Sequence, residues 1–299
     1  MLEFHTLDVF TDRAFAGNPL AVVLGADVLS PAQMQVIARE FNLSETIFVQ
    51  TPQDASHTAR VRIFFPTAEI PFAGHPTIGC AILLAETLHA GDFDCVITLE
   101  EQAGLVPVTV RRTAGGTVAE LTAPVVPYPV ARDIPPGLIG QALGLGAADI
   151  GFGAHVPGVH EGGPAFLYVP VADRGALGRA RPQEPALSAL MAAAGVDCAY
   201  LYTPGQGADF QARMFSPTAG IPEDPATGSA SAVLASQLRA CAVLPQGTAR
   251  FTLAQGLEMG RPSHIRLTVD SGAAITAVRV AGQAVRVSHG RIRAPERGA

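Results

Sequence analysis

The chain repeats itself. Residues 60–83 read RVRIFFPTAEIPFAGHPTIGCAIL and residues 213–234 read RMFSPTAGIPEDPATGSASAVL, which align without gaps at a spacing of 151 residues. Arg62 pairs with Arg213, Phe64 with Phe215, Pro66 with Pro217, Thr67 with Thr218, Ala68 with Ala219, Ile70 with Ile221, Pro71 with Pro222, Ala81 with Ala232 and Leu83 with Leu234. A duplication of this size within 299 residues implies two related halves, and a hydrophobic content of 48% can fill two cores. The copies differ in their chemistry: Gly74 and His75 stand against Pro225 and Ala226, and Asp224 and Ser229 against Ala73 and Ile78. Equivalent turns carrying different polar groups suggest one site shared by two halves.

Strand-like stretches dominate the first part: Glu3 to Phe10, Ala21 to Leu24, Thr46 to Gln50, Ala59 to Phe65, Cys95 to Leu99, Val106 to Arg111 and Thr117 to Leu121. Most are short, rich in β-branched residues and bounded by Gly, Pro or Asp. Between them Ser30 and Gln33 have the spacing of a capping box, and Met34, Ile37, Ala38 and Phe41 follow the i, i+3, i+4, i+7 pattern of an amphipathic helix. Leu187, Leu190, Met191 and Ala194 repeat that pattern at a spacing of 153, and Thr51-Pro52 recurs as Thr203-Pro204 at 152, so small insertions separate the copies.

After His75, the run Ile78, Cys80, Ala81, Ile82, Leu83 and Leu84 leaves almost no polar face, and a helix apolar all round belongs inside a core. Its counterpart, Ala230 to Leu238, is introduced by Asp224-Pro225, which reads as a capping acid followed by Pro at the first helical position. Strands around one buried helix, twice over, predict an α+β fold of two pseudo-symmetric halves, each a strand-rich barrel around a central helix. The expected boundaries are residues 1–123 and 124–274, with the Pro- and Gly-rich stretch from Pro124 to Gly137 as linker. Final strands over Ile275 to Val280 and Ala284 to Val287 are expected to bring residues 275–299 back to the first half.

Net charge is −6 with 15% charged residues, so no basic footprint for nucleic acid or an anionic membrane surface is present. Mean hydropathy is +0.29, yet Gly, Pro, Ser or charge breaks every apolar run well before the roughly 18 residues of a membrane span. The start, Met-Leu-Glu-Phe-His, lacks a basic and apolar leader pattern, which predicts a cytosolic protein. Cys80, Cys95, Cys198 and Cys241 show no C-x-x-C spacing and read as reduced thiols.

A helix N-terminus offers unpaired N–H groups and a positive dipole end, so two such ends on one cleft would hold a carboxylate. His75 and Asp224 then read either as site residues or as a turn residue and an N-cap. Glu45, among apolar neighbours at a helix-to-strand junction, is either a buried acid whose pKa is raised into the range of a general base or a solvated loop acid. Asn18 is a turn residue or a ligand contact. The stretch from His155 to Gly163, with His160 and Glu161, matches no standard ligand spacing and reads as a loop rather than a metal site.

The motifs AGNPLAVV, NLSETIFV, IPFAGHPTIG and GIPEDPATGSA occur in this order and together resemble the PhzF family of phenazine-biosynthesis-like isomerases, whose fold is of the diaminopimelate epimerase type. The resemblance covers nearly the whole chain. It implies a cofactor-independent enzyme that moves a proton between carbons of a small carboxylic acid. Carried over, it makes Glu45 the base, with His75, Asp224 and Ser229 as further catalytic groups and Asn18, Ser44, Gly74 and Gly228 as substrate contacts. Related epimerases use a cysteine pair at the two helix N-termini; both turns lack Cys here, which argues against two-base cysteine racemisation. The reading that follows is a homodimeric, cytosolic isomerase without metal or cofactor. An epimerase or racemase, or a non-catalytic small-molecule-binding protein on the same scaffold, are the competing expectations.

Overall fold

The computed structural model describes residues 1–217 and 220–296; Thr218 and Ala219, two of the repeat matches, lie outside the described residues. The chain divides into a first unit, Met1–Thr122 with Arg261–Ser263 and Ala281–Ala299, and a second, Ala123–Gly260 with His264–Val280.

In the first unit the strands are β1 (Leu2–Val9), β2 (Asn18–Val23), β3 (Glu45–Gln50), β4 (Ala59–Phe64), β5 (Glu69–Ile70), β6 (Phe93–Glu101), β7 (Gly104–Thr113) and β8 (Gly116–Thr122). Period-two alternation decides which side each strand buries. In β7, Val106, Val108 and Val110 are buried while Pro107, Thr109 and Arg111 are exposed; in β6, Ile97, Leu99 and Glu101 point to the core. β1 pairs antiparallel with β2, β2 parallel with β3, β3 antiparallel with β4 and β4 parallel with β6, followed by β6–β7 and β7–β8 hairpins. The last strand of the chain, β17 (Ile275–Ile292), pairs with both β8 and β1, so these strands form a closed eight-stranded barrel with no free edge.

Inside the ring lies α2 (Gly74–Leu88), packed against β1, β2, β3, β6, β7 and β8 and buried from Gly74 through Leu83. Gly79 permits the close approach: a Cβ there would meet the Leu20 and Val9 side chains at 2.6 and 2.8 Å. Outside the sheet, α1 (Pro31–Phe41) lays Met34, Ile37 and Ala38 on Val23, Phe48 and Phe64. Its start is the capping box read from the sequence, with Ser30 accepting from the Gln33 N–H and Gln33 answering the Ser30 N–H.

The second unit repeats the pattern with β9 (Tyr128–Val130), α3 (Leu138–Leu143), β10 (Gly158–Glu161), β11 (Ala165–Pro170), α4 (Arg174–Arg179), α5 (Ala186–Ala194), β12 (Ala199–Pro204), β13 (Phe210–Ser216), β14 (Ile221–Asp224), α6 (Gly228–Ala240), β15 (Gly247–Gln255) and β16 (Ser263–Ser271). β10–β11 is antiparallel, β11–β12 parallel, β12–β13 antiparallel and β13–β15 parallel, the same order of senses as β1 to β6. The buried helix α6 packs on β9, β10 and β11. Leu187, Leu190 and Met191 of α5 cover Leu167, Val169, Leu201 and Phe215. Each repeat also keeps an Arg–Glu pair whose guanidinium lies over a ring: Arg62, paired with Glu69, over Phe64, and Arg213, paired with Glu223, over Phe215.

Several details differ from expectation, among them the stretch from His155 to Gly163, read as a loop, whose residues 158–161 form β10 between β9 and β11. The stretch from Pro124 to Gly137 carries β9, which pairs with β10. The final strands are one, β17, whose residues up to Val280 belong to the second unit and from Ala281 to the first. Asp224 does not cap α6: it ends β14, paired with Met214, and Thr227 takes the N-cap position, so Pro225 is not the first helical residue. The registers also shift one repeat match. Thr46 faces Phe64 and Ala199 faces Phe215, which makes Thr46 equivalent to Ala199 and Glu45 to Cys198 and leaves the Thr-Pro coincidence one residue out of step. Among the described residues no helix is long and apolar enough to cross a membrane.

The Gly79 contact predicts that Gly79→Val overpacks the barrel and costs about 1–3 kcal/mol. Urea unfolding of the variant measures it, and an unchanged midpoint would refute the close approach.

Candidate active site

In the first unit, the parallel pairing of β2 with β3 sets Leu20 opposite Glu45, so both strands begin at one end of the barrel. Asn18 opens β2 and Glu45 opens β3 there. His75, the second residue of α2, reaches the same place: its Nδ1 lies 3.2 Å from Glu45 Oε2 and 3.4 Å from Asn18 Nδ2. All three side chains are buried, with Glu45 only 8% exposed, which removes the solvated-loop reading of that acid. Asn18 is a buried strand residue rather than a turn residue, and His75 is helical.

The loop that delivers Asn18 is pinned. Arg261 binds the Asp8 carboxylate at 2.5 Å and the carbonyls of Ala16 and Gly17 at 2.8 Å, and the Gly17 N–H donates to Pro262. Gly17 has φ +67° and a Cβ there would meet the Val9 carbonyl oxygen at 2.3 Å, so only glycine fits directly before Asn18.

An imidazole 3.2 Å from a carboxylate would form an ion pair if the ring were charged. Here burial drives the His75 pKa from its ordinary 6.5 down to about 3, and a hydrogen bond with the Pro19 backbone offsets only part of that. His75 is therefore neutral, and its 3.2 Å approach to Glu45 is a close contact rather than an ion pair. Pro19 has no N–H and offers only its carbonyl, which calls for a hydrogen on the imidazole nitrogen facing it. Since Nε2 has no partner among the described residues, Nδ1 carries that hydrogen and Nε2 keeps its lone pair.

In the second unit, Asp224 is buried and its Oδ2 accepts from Thr227 Oγ1 at 2.5 Å. Gln255, at the end of β15, completes the turn: its amide donates to the Asp224 carbonyl (2.7 Å) and to Thr227 Oγ1 (3.0 Å), and its oxygen accepts from the Thr227 N–H (3.1 Å). Gly228 and the half-buried Ser229 open α6, as Gly74 opens α2; Ser44 is half-buried directly before Glu45. Thr227 and Gln255 escaped sequence reading. Thr227 lies inside the GIPEDPATGSA motif, whereas Gln255 is tied to it only through strand register. His155 and His160 join a buried network around α6, with Nδ1 of each 2.8 Å from the hydroxyls of Tyr202 and Ser236 respectively. No cluster of three or more His, Cys, Asp or Glu is placed to hold a metal among the described residues.

Because His75 is neutral when folded, the unfolded chain takes up a proton below about pH 6.5 that the native state refuses until about pH 3. Its contribution to stability is thus present above pH 6.5 and lost on acidification through that window, at up to about 1.4 kcal/mol per pH unit. His75→Gln should flatten the fall of the thermal midpoint over this window; parallel curves for the two proteins would show that His75 is charged.

Residues 7–290 match the family model of phenazine biosynthesis-like proteins, PhzC-PhzF. The chain is 42% identical to an uncharacterized isomerase of Mesorhizobium japonicum, covering 95% of this chain and 96% of that one. It is 37% identical to the trans-2,3-dihydro-3-hydroxyanthranilate isomerase of Pseudomonas aeruginosa, covering 97% and 99%. The crystal structure of a PhzF family protein of Bacillus anthracis superposes with a TM-score of 0.87 over 98% of this chain and 99% of that one at 23% identity, which shows the shared fold. The chain belongs to the PhzC-PhzF family of phenazine biosynthesis-like proteins and is an isomerase.

Proposed function

We propose that the protein moves a proton within a small carboxylic acid, with Glu45 as the base. The observation that carries this reading is the buried Glu45 carboxylate set 3.2 Å from a neutral imidazole. A neutral His75 lies beside Glu45 without the compensating charge that would quench its basicity. In the proposed reaction a C–H bond of the substrate breaks, its proton goes to a Glu45 oxygen, and its electron pair shifts into the neighbouring unsaturated system. A proton then adds at another carbon, so composition is unchanged and no redox partner is required.

Asp224, His75 and Ser229 are the groups we assign to orienting the substrate and handling the returning proton, supported by the motif matches and by the buried setting of Asp224. The relative from Pseudomonas aeruginosa is named for trans-2,3-dihydro-3-hydroxyanthranilate, and a substrate of the same class, a small carboxylate with an acidified C–H, suits a carboxylate base. Asn18, Ser44, Gly74 and Gly228 are the proposed contacts. The same reading makes the protein a cytosolic homodimer with a biosynthetic role, supported by the family resemblance; light scattering of the purified protein checks the dimer.

Glu45→Gln should lower kcat by about 10²-fold or more with the fold retained, as loss of a general base does. A variant that keeps more than about a tenth of kcat would sink the assignment. Asp224→Asn keeps an acceptor for Thr227 Oγ1, so its thermal midpoint should hold while turnover drops about 10²-fold. Full activity in that variant would return the proton-handling role to Ser229 or His75.

A further inference from the structure

Glu101 closes β6 on the core side, in line with Ile97 and Leu99, and is 8% exposed. Its Oε1 lies 2.6 Å from Thr77 Oγ1, and the same hydroxyl lies 2.7 Å from the Ala73 carbonyl. A threonine hydroxyl has one hydrogen, while a carbonyl and a carboxylate only accept. With Glu101 ionised, one of these two short contacts would lack a hydrogen. With Glu101 protonated both are made: its O–H donates to Thr77, and Thr77 donates to Ala73. The second oxygen, which has no hydrogen-bond partner among the described residues, is then a neutral carbonyl rather than half of a buried anion.

The Thr77 hydrogen bond favours the charge, but no cation does among the described residues. From α2 it meets the Cys80 thiol, itself pushed up by burial and by Glu101. On β4, Arg60 is exposed and Arg62 is engaged by Glu69; on β7 it faces Gly104. The neighbouring Glu100 is taken up by His57 and the N–H groups of Gln53 and Asp54. Among the described residues no Arg or His pairs with Glu101.

The repeat supplies an independent observation. β4 runs parallel to β6 with Arg60 opposite Glu100, and β13 parallel to β15 with Gln211 opposite Ala254. Arg60 and Gln211 are repeat partners, so Glu101 and Gln255 hold equivalent positions. Gln255 ties the end of its strand to the turn that opens α6 through a neutral group that both donates and accepts. A protonated carboxyl is the neutral counterpart of that amide.

We propose that Glu101 is a positioning residue held as a neutral carboxylic acid, which through Thr77 ties the first turn of α2, and with it His75, to the end of β6. Burial raises its pKa from 4.5 to about 8, outweighing the opposing effect of the Thr77 hydrogen bond. Above that pH the donor is lost and a negative charge forms against Thr77, two residues along α2 from His75. If the substrate is the carboxylate of the proposed function, its binding weakens as that charge appears.

Glu101→Gln, which installs the group found at Gln255, tests this beside Glu101→Leu. Between about pH 5 and 8 the unfolded chain releases a proton that the native Glu101 keeps, while His75 acts in the opposite sense below about pH 6.5, so the thermal midpoint of wild type minus that of the Gln variant should fall through that window. The infrared difference spectrum of wild type minus the Gln variant, at a pH of about 6.5, should contain the C=O stretch of a protonated carboxyl. In turnover, wild-type KM should climb several-fold above a pH of about 8 with kcat little changed, and the Gln variant should lose this limb where the Leu variant loses activity outright. A carboxylate signal near neutrality, or an unchanged pH slope of stability in the Gln variant, overturns the proposal. These two readouts do not depend on the reaction, so failure of Glu45 as base would leave them intact.

Discussion

A helix enclosed on all sides cannot pass its first-turn N–H groups to water, so protein groups must answer them, and this requirement decides where polar residues gather in each unit. In the second unit the answer is Gln255, which accepts from the Thr227 N–H and donates back to the turn. In the first, no side chain caps α2; the Thr77 hydroxyl links the Ala73 carbonyl to Glu101, and Pro19 holds the His75 ring. Around them the barrel is apolar, and that dryness makes His75 neutral.

The duplication has been kept where it packs and altered where it is polar. Arg62 and Arg213 retain their glutamate partners and aromatic neighbours. His75 corresponds to Ala226, Asp224 to Ala73, and Glu45 to Cys198, a thiol that burial pushes up to about 11. Each unit thus carries polar equipment that its sibling lacks, on backbones with the same sequence of strand senses. Equal scaffolds with unequal groups would suit the proposed proton transfer, because taking and returning a proton call for different environments.

Much of this was legible in the sequence, and the reasons are physical. The period of α1 and its capping box are local signals, and the apolar run after His75 can only be a core helix. The motifs named Asn18, Glu45 and His75, which the structure brings together. What failed was decided by pairing. Asp224 followed by Pro imitates a helix start, yet ladder contacts with Met214 hold it in a strand and pass the cap to Thr227. β9 was hidden because Pro129 argues against a strand when read alone. Glu101 carries no local signal in the sequence; only the register that aligns it with Ile97, Leu99 and the distant Gln255 gives it meaning.

β17 ties the history of the first barrel to the end of the chain. Residues 284–292 supply the strand beside β1, so the first ring depends on a segment made after the whole second unit. During synthesis β1 therefore emerges with an open flank and waits for a partner nearly the full chain length away. Such long-range closure is slow, and unpaired flanks invite pairing with other chains. A nascent chain of this design passes through an interval of vulnerability whose length is set by the ribosome, and a truncation that spares every residue around His75 would still leave its barrel unsealed.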